Sequence, residues 1–557
     1  MKTNRTYRAN WLTLGTLLSL MLPIAILTYT EKNPLWVAVA AILLPLGFYS
    51  VFASLFRRSG RMAMWGFIFI FFSAFQIVLS YLFGNSVVAT DMFLNLTTTN
   101  PSEAGELLGN IYPSVIAVCV IYLPILWFAI VHIKRKIVVP GITRGLLCGS
   151  GIIFFVAGLV ALFVGCRGEV KRVLRDEVFP VNVAYNMCLA FVESYHVANF
   201  DTTSEGFCYE AERVAQSDKR EVYVLIIGEA ARAANWQLYG YERKTNPLLS
   251  QRQDITLFRN VITQSNTTHK SVPMILSSIF TDEHEELYRR SGLPALFNEA
   301  GFTTYFISNQ APQGAMIDNL AHDAQNVKYL EPRGYDGELL EEMKEALAQD
   351  SSQRVLFILH HYGSHFSYYH RYPREYAAFQ PDADVAISAK NMSLIRNAYD
   401  NSILYTDKVL NDVIEYLAAQ DYCSAMYYCA DHGEDLFDKH DKRFLHASPT
   451  VTYYQLHVAS LAWFSNEYKN LFPEKVKAAK QNYAAPATTH SVFHTMADMA
   501  SIVSPYFKPQ VSLLSDEFDF GATRYYLNDH NKAVEIDDEI GIDAMQQDLF
   551  ARAGIPL

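Results

Sequence analysis

What this chain lacks narrows its class before anything it contains. Its seven cysteines are scattered and form no CxxC pair, which argues against a zinc ribbon or a disulfide scaffold. Basic clusters are missing outside short loops between apolar runs. With a formal net charge of −11, that argues against general nucleic-acid affinity. The first apolar run has no small-residue cleavage site behind it, so it is expected to stay as an anchor rather than leave as a signal peptide. Lysine and arginine are almost absent around residues 31–34 and 85–111, and that asymmetry sets the orientation.

What is present is unevenly spread. The 557 residues suggest two or three domains, with apolar content concentrated in the first third. Long apolar runs lie near residues 11–29, 35–56, 62–83, 111–132 and 145–165. Each is long enough to cross a hydrocarbon core of roughly 30 Å as a helix. Lys2, Arg5 and Arg8 precede the first run, Arg57, Arg58 and Arg61 follow the second, and Lys134, Arg135, Lys136 and Arg144 lie between the last two. The positive-inside rule then puts the N-terminus in the cytoplasm and everything after Cys166 on the outer side, which forbids chemistry needing cytosolic ATP. The expected organisation is a five-helix transmembrane domain over 1–166, a linker over 167–217 and an outer domain over 218–557.

In the loop after the third run, Asn95, Thr99 and Glu103 are spaced by four, so a helix would line them on one face, with Pro101 kinking or breaking it. Such a stripe can hold a lipid headgroup, Glu103 facing an amine; a solvated loop face is the plainer alternative. In the linker, Val181–Phe200 has helical apolar spacing with Tyr185, Phe191, Tyr195 and Phe200. It fits either an amphipathic helix on the membrane surface or a helix packed on the outer domain.

The texture then changes. β-rich runs (EVYVLIIGE, FTTYFIS, RVLFILH, SAMYYCADHG, HVASLAWFS) alternate with helical patterns such as Leu293–Ala300 and Ala398–Leu417. That alternation predicts a largely parallel sheet covered on both faces, with chemistry beyond the carboxyl ends of its strands. Three of those ends carry metal-type ligands: Glu229, the Asp431–His432 pair, and His360–His361 followed by His365. Carboxylate and imidazole together suit zinc, and His446 adds a further candidate. Cys423 and Cys429 flank one predicted strand, and a disulfide between them stays open. Ahead of Pro273, the hydroxyls of Thr267, Thr268 and Ser271 are expected at a helix N-terminus, where backbone amides favour phosphate; an ordinary Ser/Thr cap is the alternative. A metal beside Thr268 would activate its hydroxyl for phosphoryl transfer through a covalent phospho-threonine, with His365 and His446 as acid, base or second-metal ligands.

Several motifs in one order carry a resemblance: GEAARAANWQLYGYERKTNP at Gly228–Pro247, NTTHKSVPMILSS at Asn266–Ser278, HHYGSHFSYYHRYP at His360–Pro373, YDNSILYTD at Tyr399–Asp407, ADHGEDL at Ala430–Leu436, FLHASP at Phe444–Pro449 and THSVFHT at Thr489–Thr495. The chain resembles the lipid A phosphoethanolamine transferases of the polymyxin-resistance type, whose outer domain is alkaline phosphatase/sulfatase-like. The resemblance implies a five-span helical membrane domain and a periplasmic α/β domain with a mainly parallel sheet, anchored in a bacterial inner membrane. It implies Zn2+, one ion tightly bound and a second possible, on Glu229, Asp431, His432 and the nucleophile Thr268. It further implies substrate-side or second-metal roles for His365 and His446, a donor role for His360, and headgroup binding by Asn95, Thr99 and Glu103. The implied donor is phosphatidylethanolamine and the implied acceptor lipid A, giving a less anionic surface that binds polymyxin poorly. Transfer to a core sugar, glucan or protein, transfer of phosphoglycerol, a hydrolase, or a membrane-anchored binding or sensor protein are the competing readings. The chain departs from the family in having Gln264 and Met274 where a cysteine pair brackets the nucleophile, His269 and Lys270 after it, and GEAAR for the commoner GETAR. The stretch after about Ser515 carries no assigned pattern.

Overall fold

The apolar runs of the first third become helices, the form in which a backbone surrounded by hydrocarbon can bond to itself. In the computed structural model, helices over Arg8–Thr30, Leu35–Ser54, Ile111–Lys134 and Gly141–Gly165 are each long and apolar enough to cross a membrane. The third expected run is instead a bent pair, Ser59–Trp65 and Phe67–Tyr81, meeting at 60°. The break falls at Gly66, the residue with least to lose from leaving a helix. Among the described residues the candidate spans therefore number four, or five if the bent pair is one. Helices Leu35–Ser54 and Gly141–Gly165 approach so closely that a Cβ on Gly47 would lie 2.5 Å from the backbone nitrogen of Phe155, the small-residue packing that membrane helices use.

The structure describes all residues except 1, 31–32, 84–86, 99–100, 216, 332–333, 439–442, 449–450, 537–543 and 556–557, and it leaves out the side chains at 2–7, 82–83, 95–98, 101–104 and 106–110 as well. The expected headgroup stripe of Asn95, Thr99 and Glu103 thus lies outside the described residues. The chain divides into two compact units, Met1–Leu94 with Ala104–Phe191, and Asn95–Glu103 with Val192–Leu557. The division runs through the linker helix Val181–Ala198. That helix buries Asn182, Asn186 and Glu193 together with Val183 and Ala190, while Val181, Tyr185, Phe191, Val192 and Tyr195 are exposed, so its outward face is the more aromatic one.

The second unit is built on a seven-stranded sheet. Its strands are β1 (Glu221–Gly228), β2 (Ile255–Leu257), β3 (Thr303–Ser308), β4 (Asn326–Tyr329), β5 (Arg354–His360), β6 (Cys423–Ala430) and β7 (Ser460–Phe464), in the spatial order β2-β7-β6-β1-β5-β3-β4. Pairs β6–β1, β1–β5, β5–β3 and β3–β4 are parallel, and only β7 runs against its neighbours. All residues of β1 and β6 are buried, as continuous Val/Ile/Leu/Tyr runs covered on both faces require. Cys423 and Cys429 both lie on β6 and are free thiols. Six residue steps along the extended strand separate them by roughly 20 Å, which closes the disulfide left open by the sequence. The unassigned end of the chain is folded too, as a hairpin of Tyr525–Leu527 with Ala533–Glu535 followed by the helix Ala544–Arg552.

Candidate active site at the strand ends

Parallel register decides what meets at the carboxyl edge. Gly228 pairs with Ala430 and Ile227 with His360, so the next residues of β1 and β6, Glu229 and Asp431, emerge side by side with His432. All three are buried, and their ligand atoms all lie within 4.8 Å of one another. His432 Nε2 is 3.4 Å from both Glu229 Oε1 and Asp431 Oδ2. Gly363 secures the approach: its φ is +47°, and a Cβ there would lie 2.7 Å from the Glu229 carbonyl oxygen.

The nucleophile candidate completes the cluster. Thr268 opens the helix Thr268–Ile275 after Thr267, whose side chain makes no capping hydrogen bond, so the plain-cap reading is not what this residue does. Pro273 sits in the second turn of that helix, later than the sequence suggested. Thr268 Oγ1 lies 3.2 Å from Glu229 Oε2 and 3.1 Å from His432 Nε2. Of the other hydroxyls, Ser271 Oγ donates to Asp431 Oδ2 at 3.3 Å, while Thr267 Oγ1 turns to Ser265 Oγ.

Each ligand is aimed by a second contact, as metal sites require. The His432 ring donates from Nδ1 to the Gly433 carbonyl at 2.8 Å, which leaves the Nε2 lone pair facing the cluster. Asp431 Oδ1 accepts the amides of Ala230 and His432 at 3.0 and 2.7 Å, so that Oδ2 faces His432 and the Ser271 hydroxyl. Gln310, just past β3, donates from Nε2 to Glu229 Oε2 at 3.0 Å. His360 stands one layer further back. Its Nε2 is 3.2 Å from the Gln310 amide and its Nδ1 meets Ser308 Oγ, so it supports Gln310 instead of reaching the cluster as a further donor. A second group adjoins the first: His446 Nδ1 is 3.3 Å from Glu434 Oε2, and the His432 and His446 rings are 4.1 Å apart. His432, Glu434 and His446 again form a set that could hold a cation. His365 flanks it, its ring 6.3 Å from that of His446 and stacked on Tyr362.

The electrostatics ask for positive charge. Burial, then the neighbouring Asp431, push the Glu229 carboxyl well above its ordinary range, and burial pushes Glu434 up to about 8. Burial lowers His432, and lowers His446 to about 4. Among the described residues, no Lys or Arg pairs with Glu229, Asp431 or Glu434; the nearby Arg232 is bound to Asp438 at 2.7 Å. Buried carboxylates facing unprotonated imidazole are a divalent-cation donor set, and their oxygen and nitrogen atoms suit zinc. Gln310 and Glu434 were not singled out from the sequence. An amide carries no metal-ligand signal, and Glu434 was read only as part of a motif.

A family model described as Sulfatase matches residues 221–502. The chain belongs to the sulfatase family. Among its relatives, the Kdo(2)-lipid A phosphoethanolamine 7''-transferase of Salmonella typhimurium is 31% identical over 266 residues, 46% of either chain, so the match spans just under half of that protein. Among solved structures, the integral membrane protein lipooligosaccharide phosphoethanolamine transferase A (EptA) from Neisseria meningitidis covers 84% of this sulfatase-family chain and 97% of its own, at 21% identity and a TM-score of 0.66. The C-terminal periplasmic domain of EcEptC from Escherichia coli, solved in complex with Zn, covers 59% of this chain and 96% of its own, at 24% identity and a TM-score of 0.54. These two likenesses bear out the fold expected from the sequence: apolar helices followed by an α/β domain on a mainly parallel sheet.

Proposed function

We propose that this protein moves phosphoethanolamine from phosphatidylethanolamine to lipid A through a phospho-threonine on Thr268. The reading rests on the placement of Thr268 Oγ1 within 3.3 Å of Glu229 and His432, the same groups that converge with Asp431. Glu229, Asp431 and His432 would hold Zn2+, which when bound supplies charge to the threonine oxygen and to a phosphoryl oxygen. The Thr268 hydroxyl attacks phosphorus, the bond from phosphorus to the diacylglycerol oxygen breaks, and diacylglycerol leaves with the proton that Thr268 gives up. An acceptor O–H then attacks the same phosphorus, the bond from phosphorus to Thr268 Oγ1 breaks, and the threonine oxygen takes up the proton that the acceptor gives up. His365 and His446, loop residues on the open flank, would carry protons or steady the acceptor, and a second cation would fit His432, Glu434 and His446. Asn95, Thr99 and Glu103 are proposed to hold the donor headgroup.

The same reading places the apolar helices in the inner membrane with the N-terminus in the cytoplasm and the sheet unit in the periplasm. It takes residues 1–166 as the membrane domain, 167–217 as a linker whose outward aromatics lie in the interface, and 218–557 as the catalytic domain. Masking lipid A phosphate in this way lowers surface negative charge and with it polymyxin binding. The deciding experiment is mass spectrometry of lipid A from cells with and without the protein, alongside Thr268→Ala. The variant should lose turnover by about three orders of magnitude or more and yield no phosphorylated peptide containing residue 268. Retained turnover would overturn the nucleophile assignment, and unmodified lipid A with intact Thr268 phosphorylation would move the reading to another acceptor.

A further inference from the structure

The hairpin Tyr525–Glu535 and the helix Ala544–Arg552 near the end of the chain pack behind the nucleophile loop, and the contacts converge on one side chain. Asn266, two residues before Thr268 and buried, has every polar atom of its amide engaged. Its Nδ2 donates to the Ser448 carbonyl at 2.9 Å and to Gln455 Oε1 at 2.8 Å, and its Oδ1 accepts from Tyr526 Oη at 2.6 Å. Its backbone carbonyl accepts the Ala447 amide at 3.1 Å. Asn266 therefore ties two segments together: the loop that presents Thr268 and the loop that presents His446. The tail supplies the third side. The Leu527 amide donates to the Gln264 carbonyl at 2.7 Å, and Tyr526, Ile536, Phe550 and Ile555 share one apolar cluster with Ile262 and Leu456.

An amide so placed has one satisfied orientation. Turned by 180°, it would set its oxygen against the Ser448 carbonyl, so that carbonyl selects the orientation that bonds both loops, and the Tyr526 hydroxyl donates to the oxygen that this orientation turns towards the tail. We propose that Asn266 and Tyr526 are positioning residues, through which the C-terminal hairpin fixes Thr268 and the His446 loop at one separation. This rests on the phosphoethanolamine-transfer reading for its catalytic consequence, though not for its structural one. Neither residue faces the reacting atoms: the effect runs through the two loops.

The test uses the full chain in detergent with phosphatidylethanolamine as donor. Tyr526→Phe removes a single oxygen and keeps the ring in its apolar seat. It should lower kcat about tenfold with KM for the donor unchanged, and should raise amide hydrogen exchange together at residues 264–268 and 445–448 while β1 and β6 stay protected. Asn266→Ala should do the same more strongly, and Lys532→Ala, on the exposed turn of the same hairpin, should change neither readout. Exchange that rises in one loop only, or kcat unchanged with faster exchange, overturns the coupling; a rise in KM alone reassigns Tyr526 to donor binding. If the wild type transfers no phosphoethanolamine, the functional reading falls while the paired exchange measurement still decides the clamp.

Discussion

Two groups of buried carboxylates within the sheet unit are treated in opposite ways. Away from the strand ends each is closed by its own donors. Asp400 takes Tyr241, Arg243 and Asn235, Asp407 takes the amides of Leu248 and Leu249 at 2.9 and 3.0 Å, and Asp438 takes Arg232 and Arg396. At the strand ends, among the described residues, Glu229, Asp431 and Glu434 meet imidazoles, the Gln310 amide, hydroxyls and, at Asp431 Oδ1, two backbone amides, but no Lys or Arg. Burying like charges without compensation is among the costliest things a fold can do. The fold compensates its structural acids and leaves these three short of positive charge, and a divalent cation is the simplest group that makes the two regions equivalent.

Neutralising one member of each group should therefore give opposite results. Glu229→Gln should lose metal on chelation more readily and lower turnover on the order of 10³-fold. Stripped of metal, however, it should melt higher than stripped wild type, because a carboxyl that must take up a proton to stay buried beside Asp431 is replaced by a neutral amide. A lower melting point for the stripped variant would mean those carboxylates were never short of a counter-charge. Asp438→Asn should instead destabilise by about 3 kcal/mol, since it strands the buried Arg232 guanidinium. Denaturant titration measures this, and a near-neutral result would show that Arg232 finds water or Glu434 instead.

The half of this comparison that concerns strand ends was readable in advance. Long buried runs such as VYVLIIG must be parallel central strands, and parallel register brings their ends to one edge, so Glu229, Asp431 and His432 could be named from position and residue type. The resemblance, and not spacing, chose Thr268 over Thr267. Residues whose role depends on pleat and on loops were hidden. His360 ends a strand just as Glu229 follows one, yet it lies within the ladder and turns to Ser308 and Gln310. Gln310 is an amide on a loop, with nothing in its type to mark it. The edge strands Ile255–Leu257 and Asn326–Tyr329 are too short for a period to register, and the bend at Gly66 broke a run that hydropathy read as one span. The tail's partners lie some 260 positions upstream, a distance at which no local pattern speaks.

Gln310 offers a sharper cut through the comparison, because its side-chain amide is a neutral donor to Glu229 in the undercompensated group. Gln310→Leu removes the hydrogen bond to Glu229 Oε2 while leaving every ligand in place. Metal affinity and turnover should fall about 10- to 100-fold, the usual cost of losing a partner behind a metal ligand. Equal metal affinity in the variant, measured by competition with a chromophoric chelator, would mean that Glu229 is held by the backbone of Gly363 and its neighbours alone.

The smallest effect should come from the compensated group, through pH. Burial raises the Asp407 pKa to about 6 despite its two backbone donors. A carboxyl whose folded pKa exceeds its unfolded value of about 4 binds its proton more tightly when folded, so it stabilises the fold at low pH. That contribution is complete below about pH 4 and is lost as pH rises through about 6. Asp407→Asn should therefore remove about 1 to 2 kcal/mol of pH dependence between those limits. In urea titrations of metal-stripped protein, the difference between variant and wild type should change across that window and stay constant above it. A constant difference throughout would mean that the Leu248 and Leu249 amides already hold Asp407 ionised in the fold, making its compensation complete.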